Sequence, residues 1–323
     1  VGKVSETIFR VHTGVVMYIG FIEPGLHVCG GIRRILETAN RLVNLGHNVT
    51  ILTPRGETSL WLPTKANTAR LAELPHRTFD IIIFNLAEQY KHALLAKAKK
   101  KVFWVLAPEA LYKTPAIPIK ALNKGFYLVA NSTFTKQYII KHVTTKLNYN
   151  VPIIPGGINE LHFKYDATQP TCFHAMYYGS KRPWKGTELI EAALRNLPIK
   201  TLKMEGLHTP QTQLYKLYNS ANCYISAGQV EGFNFPILEA MACGCPVICT
   251  DDGGNRDFVK DGVNALVVRR APQDIRNTVN RLLADKKLQN KLRNEGLITA
   301  RNPKYDWDVV TKQFESILKN LES

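Results

Sequence analysis

Two carboxylates eight positions apart head the residues whose types and spacing could do chemistry. They are Glu231 and Glu239 in the stretch EGFNFPILEAMACGCPV, which opens Glu231-Gly232-Phe233-Asn234-Phe235-Pro236. Gly232 and Pro236 suit a loop that turns into a helix, with proline near the first helical turn. The amides at such a helix start favour an anion, and a diphosphate is the natural candidate. Glu231 would then face the ligand from the loop. Glu239 would lie two turns along the helix, about 12 Å away by helical rise. That separation fits one carboxylate near a sugar and the other near a ribose. By pattern alone, each glutamate is more simply a solvated residue on a helix surface.

Metal chemistry is not expected. The nine histidines (His12, His27, His47, His76, His92, His142, His162, His174 and His208) form no i, i+4 pair. His27 precedes a pair of glycines and is the histidine expected nearest a ligand. The six cysteines, Cys29, Cys172, Cys223, Cys243, Cys245 and Cys249, form no CxxC pair, and read as reduced cysteines of a cytoplasmic protein.

The formal charge is +16 over 323 residues. Residues 1–155 carry 20 Lys and Arg against 8 Asp and Glu, a net of +12, and the remainder carries +4. A basic half attracts something anionic: phospholipid headgroups, a polyphosphate-linked acceptor or nucleic acid. Because no basic run is longer than Lys99-Lys100-Lys101, charge for solubility alone is the plain alternative. No apolar run reaches the roughly 18 residues of a membrane span, and the N-terminal VGKVSETIFR lacks a signal-peptide layout. A protein in the cytoplasm, soluble or peripheral at a membrane, is the expectation.

The length exceeds what one hydrophobic core usually serves, so two domains are expected. Val15–Gly20 reads as a buried strand. Gly30-Gly31 follows, then an amphipathic helix from about Ile32 to Leu45 with Ile32, Ile35, Leu36, Ala39, Leu42 and Val43 on one face. Gly46 stops it, and Asn48–Thr53 is the next strand, completing a βαβ unit. Further strands are expected at Asp80–Asn85, Lys101–Ala107 and Phe126–Asn131. Arg55 to Thr78 reads as a loop-rich excursion. After Pro155-Gly156-Gly157, a domain boundary, the pattern restarts: strand His174–Tyr178, helix Gly186–Arg195, then strands Thr201–Glu205, Cys223–Ser226 and Val247–Thr250. Such alternation implies parallel sheets covered on both faces, in two α/β halves with a cleft between them. A last helix, Trp307 to Leu321, groups Val309, Val310, Phe314, Ile317, Leu318 and Leu321 on one side.

The block from Glu231 to Glu239 resembles the E-x7-E signature of family 4 of the retaining glycosyltransferases. Gly30-Gly31, Asn131-Ser132-Thr133, Pro155-Gly156-Gly157, Lys185-Gly186, Gly253-Gly254, Asp261-Gly262 and the Trp307 helix also fall in family order, along nearly the whole chain. The resemblance implies the GT-B fold: two Rossmann-like domains facing each other across a cleft, with the C-terminal helix crossing back to the first. Residues 1–155 would be the acceptor side, 156–302 the nucleotide-sugar domain and 303–323 the returning helix.

The resemblance also implies roles. Glu231 matches the carboxylate that holds hydroxyls of the donor sugar, and Glu239 the one that binds the ribose. Gly232 and Phe233 belong to the same donor loop, and Asn234, Phe235 and Pro236 match the part whose backbone amides meet sugar and phosphate. Lys185 matches the cation that neutralises the departing diphosphate; without a metal, fixed cations and amide dipoles must carry that charge. Gly30 and Gly31 match the glycine loop that lets the backbone approach the donor phosphate or acceptor. Two departures stand out. Ser180 takes the place of the family arginine, with Arg182 as its substitute. The stretch Trp104–Glu109 lacks the family histidine, leaving Glu109 there, whose plain reading is a helix-start glutamate.

The expected activity is thus metal-independent, retaining transfer of a hexose or related sugar from a nucleotide-diphosphate sugar, with no cofactor. The leading acceptor is a lipid-linked sugar or glycan. DNA or a protein as acceptor, and a non-catalytic basic binding protein, remain the alternatives. A nicotinamide-dependent dehydrogenase would need G-x-G-x-x-G and an acidic end to the second strand, whereas the chain has GLHVCGGIRR and Thr53-Pro54-Arg55. A nucleotide-sugar epimerase of the same shape would lack the Glu231–Glu239 block.

Overall fold

The computed structural model describes residues 15–111, 115–159, 162–166, 172–205 and 211–322; the first fourteen residues, His12 and His208 lie outside the described residues. The first half builds a parallel six-stranded sheet from β1 (Tyr18–Ile22), β2 (Asn48–Thr53), β3 (Asn67–Arg70), β4 (Thr78–Phe84), β5 (Lys97–Val105) and β6 (Tyr127–Ala130), in the order β3-β2-β1-β4-β5-β6. Its register sets Ile19 opposite Val49 and Ile81. Strand order reverses between β1 and β4, so the crevice beyond their carboxyl ends is where such sheets take ligands.

Helices α1 (Gly30–Asn44), α2 (Tyr90–Leu95), α3 (Ala116–Leu122) and α4 (Thr133–His142) cover this sheet. Along α1, Ile32, Ile35, Leu36, Ala39 and Leu42 are buried at the spacing read from the sequence. Gly30 and Gly31 are not a loop but the first two residues of this helix, because Cys29 caps it: its Sγ accepts from the Ile32 N–H at 3.5 Å. Gly46, at φ 91, ends the turn after α1 in the left-handed region that favours glycine.

Two sequence expectations need correction. The apolar run at Val15 does not pair: Val15 and Val16 are exposed, since β1 starts at Tyr18, opposite Asn48 where β2 begins. The excursion at Arg55–Thr78 contains β3 and a 3-10 turn at Leu71–His76. NTAR carries little apolar content, and β3 exists because an edge position pairs it with β2.

The second half builds a five-stranded sheet from β7 (His174–Gly179), β8 (Lys200–Glu205), β9 (Cys223–Ser226), β10 (Val247–Thr250) and β11 (Leu266–Val268), ordered β11-β10-β9-β7-β8. Every described pairing in both sheets is parallel. Around it lie α5 (Thr187–Leu194), α6 (Gln211–Asn219), α7 (Phe235–Ala242), α8 (Pro272–Ala284) and α9 (Lys286–Ala300). Cys223, Cys243, Cys245 and Cys249 are buried free thiols, and Cys29 and Cys172 are exposed.

The two halves meet through apolar packing rather than a solvated linker. A Cβ on Gly156 would strike Phe235 and Phe233, and one on Gly157 would strike Trp307, so the chain crosses where only glycine backbone fits. Helix α10 (Trp307–Glu322) then returns to the first domain. Phe314 packs on Trp104 of β5 with ring centroids 4.4 Å apart, and Arg41 of α1 bonds Asp308 at 2.7 Å. The buried stripe is Val310, Phe314 and Leu318, each worth about 1.5–3 kcal/mol of apolar burial. Val309, expected on that stripe, is exposed because the face follows i, i+4, i+8 from Val310.

Candidate active site in the inter-domain cleft

The carboxyl ends of the two sheets face each other. After β9, the chain runs through the Glu231 loop into α7, and this loop is pressed against the ends of β5 and β6. A Cβ on Gly232 would lie 1.7 Å from the Leu106 carbonyl oxygen, which also accepts from Asn131 Nδ2 at 2.5 Å. Behind the loop, the Glu231 N–H donates to the Asp252 carbonyl at 3.0 Å, and Gly254 abuts the backbone of residues 231–233. On the other side of the cleft, Gly30 at the start of α1 approaches Phe235: a Cβ there would sit 3.2 Å from the ring. Close approach, not positive φ, is what this glycine provides.

Glu231 and Lys185 come together, with Nζ 2.5 Å from Oε1. Lys185 ends a 3-10 turn at Pro183–Lys185 that opens into α5 through Gly186. Gly186 has φ 71 and would bring a Cβ to 2.3 Å from the Ala227 carbonyl oxygen, so no other residue fits. Arg182 precedes the turn, exposed, with its guanidinium 5.8 Å from the Trp184 ring and its field reaching Cys29 across the cleft. Ser180 shapes the same turn: its N–H donates to Thr187 Oγ1 at 2.9 Å and its Oγ accepts from the Arg182 N–H at 3.2 Å.

Glu239 is the fifth residue of α7, only just past the first turn rather than two turns along, because the helix starts at Phe235. Its side chain is buried and ion-paired with Arg33 of α1, and Tyr218 donates its hydroxyl to the other oxygen at 3.0 Å. The two motif glutamates are close enough that both push up the pKa of the buried Tyr224 phenol, whose largest cause is burial. Pro236, read as part of an amide cradle, has no N–H to offer, and the Ile237 N–H donates to the Asn234 carbonyl at 3.3 Å. Phe233 and Phe235 point their rings into the inter-domain core, against Phe258, Tyr305 and Trp307. Any part they play toward a ligand is through backbone.

On the first-domain side, His27 is exposed in the loop before α1, and no described contact brings it to this cluster. Glu109 is buried at the first position of a 3-10 turn after β5 and is not free. Sequence reasoning missed Glu23 and Asn85, at the carboxyl ends of β1 and β4. Glu23 is fully buried: Asn85 Nδ2 donates to its Oε1, while Oε2 has no hydrogen-bond partner. Burial holds this carboxyl well above the usual range.

Three further residues gave no motif signal. Arg33, the partner of Glu239, is one. Arg34 is fully buried, donates to the Ile154 carbonyl at 2.9 Å and lies 5.0–5.4 Å from the rings of Trp104, Phe233 and Phe235. Burial lowers its pKa to about 9, so it stays charged at neutral pH and ties the motif loop to the first sheet. Asp252, beyond β10, could have been suspected from its place at a strand's carboxyl end beside Gly253-Gly254. Among the described residues, no group of three His, Cys, Asp or Glu could hold a metal ion.

Two parallel α/β domains with their strand ends opposed, a cation–carboxylate pair between them and a helix crossing back define the GT-B class. Residues 206–297 match the family model described as glycosyl transferases group 1. Lipopolysaccharide 1,2-N-acetylglucosaminetransferase of Salmonella typhimurium is 35% identical over 121 residues, 36% of this chain and 31% of that protein. The O-antigen chain mannosyltransferase B of Escherichia coli is 43% identical over 173 residues, 41% of this chain and 45% of that protein. The chain thus spans less than half the length of these relatives. Among solved structures, sucrose-phosphate synthase from Thermosynechococcus elongatus superposes with a TM-score of 0.78 at 16% identity, covering 94% of this chain and 98% of that one. Anabaena HepE, solved with UDP-glucose, gives 0.76 at 16% identity, covering 94% and 100%. At such identity the likeness shows the fold. The chain has the GT-B fold, and the segment similar to group 1 glycosyl transferases lies in its second domain.

Proposed function

We propose that the chain is a retaining glycosyltransferase that moves a hexose or related sugar from a nucleotide-diphosphate sugar to an acceptor hydroxyl without a metal ion. The observation that carries this reading is the Lys185–Glu231 pair at the start of α7, with Glu239 one turn further on. In this reading Glu231 holds the donor sugar's hydroxyls, and Glu239 takes the ribose. Lys185, Arg182 and the backbone amides of Asn234 and Phe235 carry the charge that grows on the leaving diphosphate. The acceptor hydroxyl enters from the first domain, on the same face of the sugar as the leaving group, which gives retention.

A glycan or lipid-linked sugar is the favoured acceptor, in keeping with the lipopolysaccharide and O-antigen enzymes among the relatives. Part of the basic excess lies away from this cleft. Exposed Lys97, Lys99 and Lys100 start β5, whose nine residues put them up to about 26 Å from the strand end that meets the Glu231 loop. They serve a peripheral contact with an anionic membrane, to be tested by pelleting with anionic vesicles; nucleic acid as the partner would show instead as salt-dependent duplex binding. No helix among the described residues is long and apolar enough to cross a membrane.

The test is a thermal-shift screen of UDP-, GDP- and ADP-sugars, followed by donor hydrolysis with and without EDTA. Stabilisation by one nucleotide sugar and EDTA-resistant release of its nucleotide are expected. A chain that binds none of them, or that loses all turnover in EDTA, is not this enzyme.

A further inference from the structure

Both motif glutamates carry a basic side chain, but the two cations are held differently. Lys185 reaches Glu231 from within the same domain. Arg33 reaches Glu239 from α1 of the other domain, through Nη1 to Oε1, while the Tyr218 hydroxyl donates to Oε2 at 3.0 Å. With these partners in place the Glu239 side chain is 4% exposed, so a ligand's hydroxyls reach it only if a partner moves. Tyr218 is 1% exposed and packs edge-on to Tyr224, with ring centroids 5.6 Å apart. It belongs to the second domain's core and stays. Arg33 is anchored less firmly: its Nε has no hydrogen-bond partner, and its guanidinium lies 5.7 Å from the Phe163 ring.

We propose that Arg33 is a donor-binding residue: the donor's ribose hydroxyls displace its guanidinium from Glu239, and it then pairs with the donor's diphosphate. The proposal rests on the nucleotide-sugar reading above and deepens it, adding a cation from the first domain to a site otherwise built on the second. The physical reason is charge balance. A guanidinium this far out of water gives up its carboxylate only where another anion replaces it. The diphosphate is the anion that arrives with the ribose, joined to it through the 5′ oxygen. A guanidinium fits phosphate oxygens with two parallel N–H bonds. Glu239 accepts the ribose hydroxyls in exchange, and the moved guanidinium stays near enough to attract it.

The surroundings put Arg33 beside the place where that anion would sit. Tyr178 stands at the carboxyl end of β7, just before the Ser180–Lys185 turn. Burial and the Glu239 charge push its phenol up, and Arg33 pulls it down, so Tyr178 lies next to the pair. Cys29, which caps α1, is tied to the same spot: burial raises its thiol, and Arg182 pulls it down from the second domain. Arg33 and Arg182 thus approach one region from opposite domains, with Lys185 at the end of the turn that follows Arg182. A diphosphate held there meets cations from both sides of the cleft.

The experiment measures binding by calorimetry to wild type, Arg33→Gln and Arg33→Lys. The ligands are the nucleoside diphosphate whose base the thermal-shift screen selects and its 2′,3′-dideoxy analogue. Arg33→Gln should weaken the nucleoside diphosphate about tenfold, the effect of losing one charge-assisted pair. The dideoxy analogue has no hydroxyls to displace Arg33, so the same change should weaken it less than about twofold. Arg33→Lys keeps a cation without the planar fork, and its affinity for the nucleoside diphosphate should fall between wild type and Arg33→Gln. Equal effects on the two ligands would mark an arginine that only joins the domains, and overturn the proposal. Tighter binding of the nucleoside diphosphate by Arg33→Gln also overturns it, since Arg33 would then merely compete with the donor. Either result in a protein whose wild type binds the nucleoside diphosphate sinks this inference alone; a wild type that binds no nucleotide sinks the donor reading with it.

Discussion

The guanidinium of Arg33, in the first turn of the first domain's leading helix, is ion-paired across the cleft with the buried carboxylate of Glu239 in the second domain. Tyr218 completes the shell of that carboxylate. The pair thus ties the two halves together at the glutamate assigned to the ribose.

Removing one side of a largely buried pair leaves the other charge without compensation, which costs several kcal/mol, whereas removing both costs far less. Arg33→Met should lower stability by about 3 kcal/mol in urea unfolding. Arg33→Met/Glu239→Gln should recover most of that loss. Equal destabilisation by the single and double changes would show that the pair is not what joins the halves.

Glu231 and Lys185 should separate by what each supplies. Glu231→Ala is expected to abolish transfer. Lys185→Ala should cut donor kcat/KM by roughly 10²–10³-fold, the size seen when a fixed group that stabilises developing negative charge is lost. Rates near wild type in both variants, measured by nucleotide release and by product, would remove them from the site.

Glu23 predicts a pH dependence of stability. Its folded-state pKa lies well above its ordinary value, because burial disfavours the charged form. The folded protein therefore holds a proton that the unfolded chain gives up. The associated stability is fully present below pH about 4.5 and is lost as pH rises toward the elevated folded value. Glu23→Gln, which keeps the bond from Asn85, should match wild type near pH 4 and exceed it at pH 8. Parallel stability curves for the two proteins would contradict the assignment.

Gly232 and Gly125 make a matched pair of tests. A methyl on Gly232 would collide with the Leu106 carbonyl oxygen, so Gly232→Ala must push the Glu231 loop off the first domain. Displacement near 1 Å in such a site costs about 10²-fold in rate. Gly125 has φ 78, but nothing lies within 4 Å of where its Cβ would stand. Gly125→Ala should lose about 1–2 kcal/mol of stability and keep its activity. Steady-state rates and thermal melts on both variants decide it.

Much of this molecule was legible as written. β9 and β10 fall on Cys223–Ser226 and Val247–Thr250 as the apolar runs indicate, and α1 and α10 follow their helical spacing. The Glu231–Glu239 block drew attention by residue type and order, and the structure sets Lys185 beside Glu231. β3 was not legible, because four residues of mixed polarity become a strand only beside β2. Arg34 and Asn85 were missed for a similar reason: nothing in their immediate neighbours separates them from surface or turn residues.

Periodicity in a chain reports which face of each segment must leave water, and that is a local property the amino-acid order fixes. Which side chains then meet is decided by how whole layers pack. Arg33 and Glu239 are 206 positions apart, and no pattern along the chain connects them. Their pairing and the burial of Glu23 arise only when two sheets oppose their carboxyl ends and exclude water between them. Low dielectric and close packing there turn ordinary polar residues into a site.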